Sequence, residues 1–363
     1  MLSSLAMSHV FVAPHPDDVA LSCGGLVASL RELGQSVTIL TVYSGEPVDG
    51  GDPTDYQREA LGFGTKALWP NTEAFDRSNI SAEYEVPVLA TRSAPWLADP
   101  DRVTVTQERA NTQARQFWQR AAWTRSANIT NDEHDDRPLR DSVSTQGTLA
   151  RYELADADAG RLRRAEDERF AYFIEAALVD LGLPDAVHRG YTGDEELLRA
   201  PAEGDEPPVD ILRREILRLE PQHVYVPAAV GGHVDHRLCR DAVLAMLAEG
   251  DAWVMPGPTM AGRVSFYEDF PYAWWNGQSG PEAMAEHAAQ LPADLVLEAR
   301  FADISDQLER KVAGLRLYRT QVERLFESEQ GMLDAVTGFA ARIADAGGVG
   351  SGAAERYWNA VRA

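Results

Sequence analysis

Cysteine is scarce in this chain: 363 residues include two, Cys23 and Cys239. Two cannot frame a disulfide-stapled fold, and their separation matches no cysteine-based zinc motif. Both stand in apolar contexts, which reads as packed or free thiols of a reducing compartment. Basic residues are also in deficit. Lys and Arg number 34 against 57 Asp and Glu, a formal net charge of -23. So acidic a chain repels phosphate backbones and anionic membranes, which argues against nucleic acid as a partner. No apolar run approaches the length of a membrane span. The opening MLSSLAMSHV is too short and too weakly apolar for a secretory signal, so a cytoplasmic location is expected. GxGxxG and HxxxH spacings are missing, as is any internal repeat.

What is present is an alternation of strand and helix signals. His9 to Ala13 (HVFVA) is a short apolar run closed by Pro14 and reads as a buried strand. Asp17 and Asp18 open a helical pattern carrying Val19, Leu21, Leu26, Val27 and Leu30, and Gly34 ends it. Ser36 to Tyr43 is a second, β-branched strand. Strand, helix and strand in this order make a βαβ unit with parallel strands. A similar unit follows later: a helix at Asp210 to Leu219, a strand at His223 to Pro227 and a helix at Asp235 to Ala248. Helices are also expected at Leu162 to Leu178 and Asp303 to Val322, with a strand at Arg263 to Tyr267. The tail from Gln330 to Ala363 reads as one or two helices around the glycine-rich break at Gly347 to Gly352. The stretch from Glu46 to Gly160 is rich in Pro, Gly, Asp, Asn and Thr, with one helical segment near Val105 to Thr124. It also holds Trp69, Trp96, Trp118 and Trp123, too many aromatics for simple disorder. It is read as an insertion after the second strand. The predicted fold is an α/β three-layer sandwich with a mostly parallel, Rossmann-like sheet, one domain over 1–363.

In open α/β sheets, ligands bind beyond the carboxyl ends of the strands. Two polar clusters fall there: His15-Pro16-Asp17-Asp18 after the first strand, and His233-Val234-Asp235-His236 after HVYVP. Together they offer three imidazoles and three carboxylates. A catalytic zinc takes three protein ligands from His, Asp or Glu and keeps one position open for water. His15 and Asp18, three apart on a turn entering a helix, can share one side. Asp17 is then free to take a proton as general base. His233, if protonated, could stabilise an oxyanion, with Asp235 orienting its ring and favouring the charged form. Spacing alone leaves open whether His233, His236 or both bind the metal.

At these residues the chain resembles the PIG-L/LmbE-like family of zinc-dependent de-N-acetylases. The family opens with a strand, an (A/P)HPDDE-like motif and a Gly-Gly helix. Here those positions read Pro14-His15-Pro16-Asp17-Asp18-Val19, then Ser22-Cys23-Gly24-Gly25. The family's HxDH motif is His233 to His236. Weaker likenesses extend through Thr41 to Glu46, Arg164 to Glu168, Leu181 to Asp185, Phe266 to Tyr272 and Lys311 to Gln321. Val19 stands where the family commonly has Glu, and the 46–160 insertion exceeds that of compact members. The resemblance implies His15, Asp18 and His236 as metal ligands and Asp17 as base. It makes His233 the electrophilic imidazole or proton donor, with Asp235 behind it. The implied cofactor is zinc, with iron or manganese able to fill similar sites. The implied reaction removes acetyl from an N-acetylglucosamine-like sugar conjugate, a small-molecule partner. Two rivals stand beside it: a metal hydrolase of another amide or ester, and a non-catalytic sugar-binding protein on the same fold. A homo-oligomer is compatible with the sequence.

The remaining polar residues have blander readings. His9 and His223 begin strands and read as edge or core residues, His287 as a surface residue. His134 lies in an acidic patch, Asn131 to Asp136, that reads as a solvated loop. His188 could approach a substrate. Arg164 and Glu166 read as an exposed helix start, with substrate contact as the alternative. Phe266 to Tyr272 with Trp274 and Trp275 read as core packing, with a sugar-stacking wall as the alternative. Gly24 and Gly25 are read as permitting close packing of the helix on the sheet.

Overall fold

The computed structural model describes residues 7–45, 160, 162–249, 262–275, 277, 279–350 and 352–363. The insertion at 46–160, with its expected helix near Val105 to Thr124, its four tryptophans and the His134 patch, therefore lies almost wholly outside the described residues.

Seven strands form one sheet. They are β1 (Ser8–Ala13), β2 (Ser36–Gly45), β3 (Ala177–Pro184), β4 (His223–Pro227), β5 (Val264–Tyr267), β6 (Leu295–Asp303) and β7 (Ala354–Arg362). Their spatial order is β3-β2-β1-β4-β5-β7-β6. The first five run parallel, and β7 joins β5 and β6 antiparallel. The mostly parallel, Rossmann-like sheet expected from the sequence is thus present.

Each central strand is apolar on both sides, as a doubly covered parallel sheet requires. Val10, Val12, Leu40, Val42, Val224 and Val226 face one apolar layer. There they meet α3 (Val209–Leu219) through Leu212 and Ile216, and α4 (Val234–Ala248) through Leu238 and Val243. Phe11, Ala13, Val37 and Ile39 face the other layer. That layer takes Val19 and Val27 of α1 (Asp18–Glu32) and Phe170 and Ile174 of α2, the helix over 162–174. Val312 and Leu315 of α6 (Leu308–Leu315), Val322 of α7 (Arg319–Phe326) and Val336 of α8 (Glu329–Gly347) complete it. The short α5 (Pro281–Ala288) brings Met284 to the first layer.

Five expectations are corrected. The helix read as Leu162 to Leu178 stops at 174, because Glu175 turns into the left-handed region at φ 65° and the apolar run beyond it becomes β3. The helix read as Asp303 to Val322 is divided into α6 and α7. Tyr318 sits in the break with its hydroxyl donated to Asp167 at 2.6 Å, and the N–H of Thr320 donates to Glu166 at 3.0 Å. A buried Glu166 thus caps a helix from outside, and its burial (0% exposed) removes the exposed-start reading. The tail beyond the glycine-rich break is the strand β7, not a helix. β6, whose burial alternates along LVLEARFAD, was not anticipated. Finally, His287 is 2% exposed and packs edge-on to Phe266, 4.1 Å between ring centroids, so it is no surface residue.

Gly24 and Gly25 do permit a close approach, but to the C-terminal elements. A Cβ on Gly25 would lie 2.7 Å from the Ile304 side chain, and one on Gly24 3.2 Å from Lys311. The same stretch of α1 is held by Glu355 of β7, whose carboxylate accepts the N–H groups of Gly25 (2.9 Å) and Leu26 (2.7 Å) and the Lys311 ammonium (2.7 Å). Cys23 and Cys239 are free and buried. Among the described residues no helix is long and apolar enough to cross a membrane.

His9 and His223 are neighbours at the amino ends of β1 and β4, 6.2 Å between ring centroids. Burial lowers His9 to about 4, and burial with His9 alongside lowers His223 to about 3. Both bind fewer protons folded than unfolded between these values and pH 6.5, so stability falls as pH drops through that window. His9→Phe keeps a ring on Tyr225 and removes one of the two groups. Its stability loss between pH 7 and pH 5, read from urea midpoints, should be smaller than the wild type's by about 1–2 kcal/mol. Equal losses would contradict the assignment.

Candidate metal centre

The carboxyl ends of β1, β3, β4 and β5 converge on one set of polar side chains. β1 runs into Pro14-His15-Pro16, and Asp17 makes the turn into α1 at φ 106°, ψ -33°. This is a conformation L-residues rarely adopt, costing on the order of 1–3 kcal/mol. Asp17 makes no side-chain capping hydrogen bond to α1. Asp18 instead folds back, and its Oδ2 accepts the His15 N–H at 2.7 Å. The same oxygen lies 3.3 Å from His15 Nδ1 and 3.4 Å from His236 Nε2. His15, Asp18 and His236, from two strand ends, are thereby brought together.

His233 is the N-cap of α4 and joins the group: ring centroids are 5.0 Å from His15 to His233, 5.1 Å from His233 to His236 and 5.5 Å from His15 to His236. One ring nitrogen from each of these three histidines lies within 4.8 Å of the others. The choice of ligand between His233 and His236 thus stays as the spacing left it. His236 has a distinguishing feature. Its Nδ1 bonds Asp269 Oδ1 at 2.6 Å, while its buried Nε2 has no hydrogen-bond partner. With Nδ1 held by Asp269, a divalent cation in place of a proton on Nε2 would sit between this nitrogen and Asp18, a position its geometry and donors fit.

Asp235 has a different partner from the one expected. Its carboxylate bonds His15 Nε2 at 2.8 Å and accepts the Ala186 N–H at 3.0 Å. The Arg189 guanidinium donates to its other oxygen. Towards His233 it is the Asp235 main chain that acts, its N–H donating to Nδ1 at 3.3 Å. That bond makes Nδ1 the acceptor and leaves the proton on Nε2. Burial, with His15 and His236 nearby, holds His233 well below its usual range. A neutral imidazole with an Nε2–H donor therefore replaces the protonated one.

The two aspartates of the first motif are pushed apart. Burial, and then the Asp18 charge, raise Asp17 to about 8. Asp18 suffers the same burial, but His236 and His15 outweigh it and hold its carboxyl low. Burial works against a charged His15, yet Asp185, Asp18 and Asp235 together raise it to about 10. A divalent cation beside Asp17 would supply the attraction that lowers its carboxyl into the ionised range.

Several site residues carry no signal in the motifs. Asp185, just past β3, lies 3.7 Å from His15 Nε2 and is paired with Arg163 at 3.3 Å. Arg189 bridges Asp235 to Asp205 and stacks over Tyr43 at 4.6 Å from the ring centroid. Asp269 follows β5. The strand-end rule that found the two motifs would have reached Asp185 and Asp269 had β3 been recognised and the stretch after β5 not been read as an aromatic run. That run divides: Phe266, Tyr267 and Phe270 are buried core. Tyr272 meets His236 edge-on at 5.6 Å, and half-exposed Trp275 stands edge-on to Tyr272 at 5.8 Å. Arg164 donates to the Ser44 carbonyl at 2.6 Å, and His188 is partly buried in the turn beyond β3.

Comparison with known proteins agrees with this picture. Residues 10–86 match the PIG-L family, described as GlcNAc-PI de-N-acetylase. A 2'-N-acetylparomamine deacetylase from Streptomyces fradiae is 36% identical over 146 residues, 39% of this chain. The chain spans about half of that relative, 47% of its length. Among solved structures, the zinc-inhibited form of a teicoplanin deacetylase superposes with a TM-score of 0.56 at 19% identity, covering 98% of both chains. An A40926 pseudoaglycone deacetylase gives 0.52 at 18% identity, covering 98% of this chain and 97% of its own. At such identities the likeness is one of fold. An α/β sandwich with polar side chains gathered at its carboxyl strand ends thus defines the class. Within it the chain is similar to the PIG-L family over residues 10–86 and to solved deacetylases in its fold.

Asp17→Gly removes a strained backbone and a buried carboxyl held far above its usual range. It should raise unfolding free energy by about 1–2 kcal/mol after glycine's extra unfolded-state freedom is subtracted. Urea unfolding of metal-free protein checks this, and a destabilised variant would show that Asp17 supports the fold.

Proposed function

We propose that this chain is a divalent-metal N-deacetylase, releasing acetate from an N-acetylglucosamine-like sugar conjugate. The carrying observation is the pair of adjacent aspartates. One is bound into its turn beside two imidazoles, and the other is buried, uncapped and raised to about 8. A binding protein has no use for the second. The amino-sugar deacetylase from Streptomyces fradiae and the deacetylases of the same fold support the substrate class.

His15, Asp18 and His236 would hold the metal, zinc being the expected ion, with iron or manganese suited to the same donors. When bound, the ion supplies Lewis acidity that activates water and polarises the acetyl carbonyl. Asp17 takes the proton from the attacking water and then passes it to the leaving amine. The His233 Nε2–H donates to the oxygen that becomes negative at the tetrahedral stage, and needs no positive charge to do so. Asp235 holds His15 through Nε2 and sets His233 through its own N–H. Arg189 and Arg163 offset the charge of Asp235 and Asp185, so the metal-binding side of the cluster is not left with uncompensated carboxylates.

Asp17→Asn should retain bound metal and lose about 10²–10⁴-fold in turnover. Acetate release from a panel of N-acetylglucosamine conjugates, with other amides and esters as controls, measures it. Undiminished turnover would remove the base assignment, and turnover confined to the other amides or esters would replace the substrate class. Tight sugar binding with no turnover in the zinc-replete wild type would favour a binding protein. His236→Ala should lose metal on elemental analysis. Full occupancy in that variant would make His233 the ligand instead.

A further inference from the structure

His236 enters the site from the first turn of α4, but what aims its ring lies elsewhere. Asp269, immediately beyond β5, is 1% exposed. Its two carboxylate oxygens have separate duties. Oδ1 bonds His236 Nδ1 at 2.6 Å, and Oδ2 accepts the N–H of Val230 at 2.8 Å. Val230 lies in the loop that joins β4 to α4, ahead of Gly231, Gly232 and His233. One side chain therefore ties the ring of His236 to the loop that presents His233. The segment bearing it is itself fixed: the Phe270 N–H donates to Ser22 Oγ of α1 at 3.1 Å, and the Asp269 carbonyl accepts the Ala273 N–H at 2.9 Å.

A carboxylate that accepts the proton of one imidazole nitrogen fixes the tautomer, stops ring rotation and makes the opposite nitrogen a better donor to a cation. The opposite nitrogen here is the buried Nε2 without a hydrogen-bond partner, 3.4 Å from Asp18 Oδ2. We propose that Asp269 is a positioning residue of the metal centre, acting through His236 Nδ1 to hold Nε2 towards the cation. This rests on the metal-site reading above. It makes the β5 end a working part of a centre whose ligands come from β1 and β4.

The test uses the full chain and zinc alone. Zinc affinity is measured by chelator competition on wild type, His236→Ala, Asp269→Asn and Asp269→Ala, with thermal unfolding as the fold check. Asp269→Asn should stay folded and bind zinc about 10–100-fold more weakly. A folded Asp269 variant with unchanged affinity overturns the proposal. The wild type gives a reading that needs no variant at this position to fold. In zinc-loaded, ¹⁵N-histidine-labelled protein, His236 should carry its proton on Nδ1 and the metal on Nε2. The reverse arrangement overturns the proposal. A wild type that binds no zinc removes the metal-site reading itself. A wild type that binds zinc, loses it in His236→Ala and keeps it undiminished in Asp269→Asn removes only the role of Asp269.

Discussion

The turn between β1 and α1 is held where an L-residue rarely sits, and the geometry of the site hangs on it. With Asp17 at φ 106°, the chain doubles back sharply enough for Asp18 to accept the His15 N–H. That closure brings an imidazole and a carboxylate from one short stretch to the same side. It also leaves the Asp17 carboxylate without a capping partner. A relaxed turn would let Asp17 cap α1 in the ordinary way and would open the His15–Asp18 pair. Strain at such a position persists only when its surroundings over-determine it. Here β1 is buried between β2 and β4, and α1 is clamped by Glu355, Lys311 and Ile304.

Charge at the site is arranged rather than merely accumulated. Asp17, Asp18, Asp185, Asp235 and Asp269 are all buried, in a chain already strongly acidic. Their environments separate them. Asp18 and Asp185 are held low by imidazoles and by Arg163, and Asp17 is pushed high by burial and by Asp18. Groups of one kind driven in opposite directions are what the proposed division between holding a metal and moving a proton requires. His233 follows the same logic in reverse, since burial, reinforced by two neighbouring imidazoles, keeps it neutral.

Much of this could be read from the chain before its structure. The βαβ unit, the HVYVP strand and both polar motifs lie where hydrophobic periodicity and turn residues put them, because those signals are local. The errors share a different cause. Helix α2 and strand β3 merge in the sequence because one apolar run, FAYFIEAALVDLGLP, serves both, and a single left-handed residue at Glu175 divides them. The break between α6 and α7 is capped by Glu166, more than a hundred positions away in the sequence. Asp235 and Asp269 illustrate the same limit within the site. Both could be named as carboxylates near strand ends, but which imidazole each would face is decided by the register of strands that are distant in sequence.

β7 has a bearing on the order in which the molecule comes together. It is inserted between β5 and β6, pairing with both, and its Glu355 fastens the middle of α1. During synthesis β1 and α1 emerge before the other described elements and β7 after the other described strands. Until β7 arrives, the Gly25 stretch of α1 lacks its Glu355 anchor and β6 lacks its pairing strand. The nascent chain can assemble its parallel core early, with α1 packed on it through Val19 and Val27, yet the Glu355 clamp on that helix comes only after translation has passed residue 355. Closure of that long loop is slow compared with local pairing, so the clamp on the helix that carries the site is the late contact of the fold.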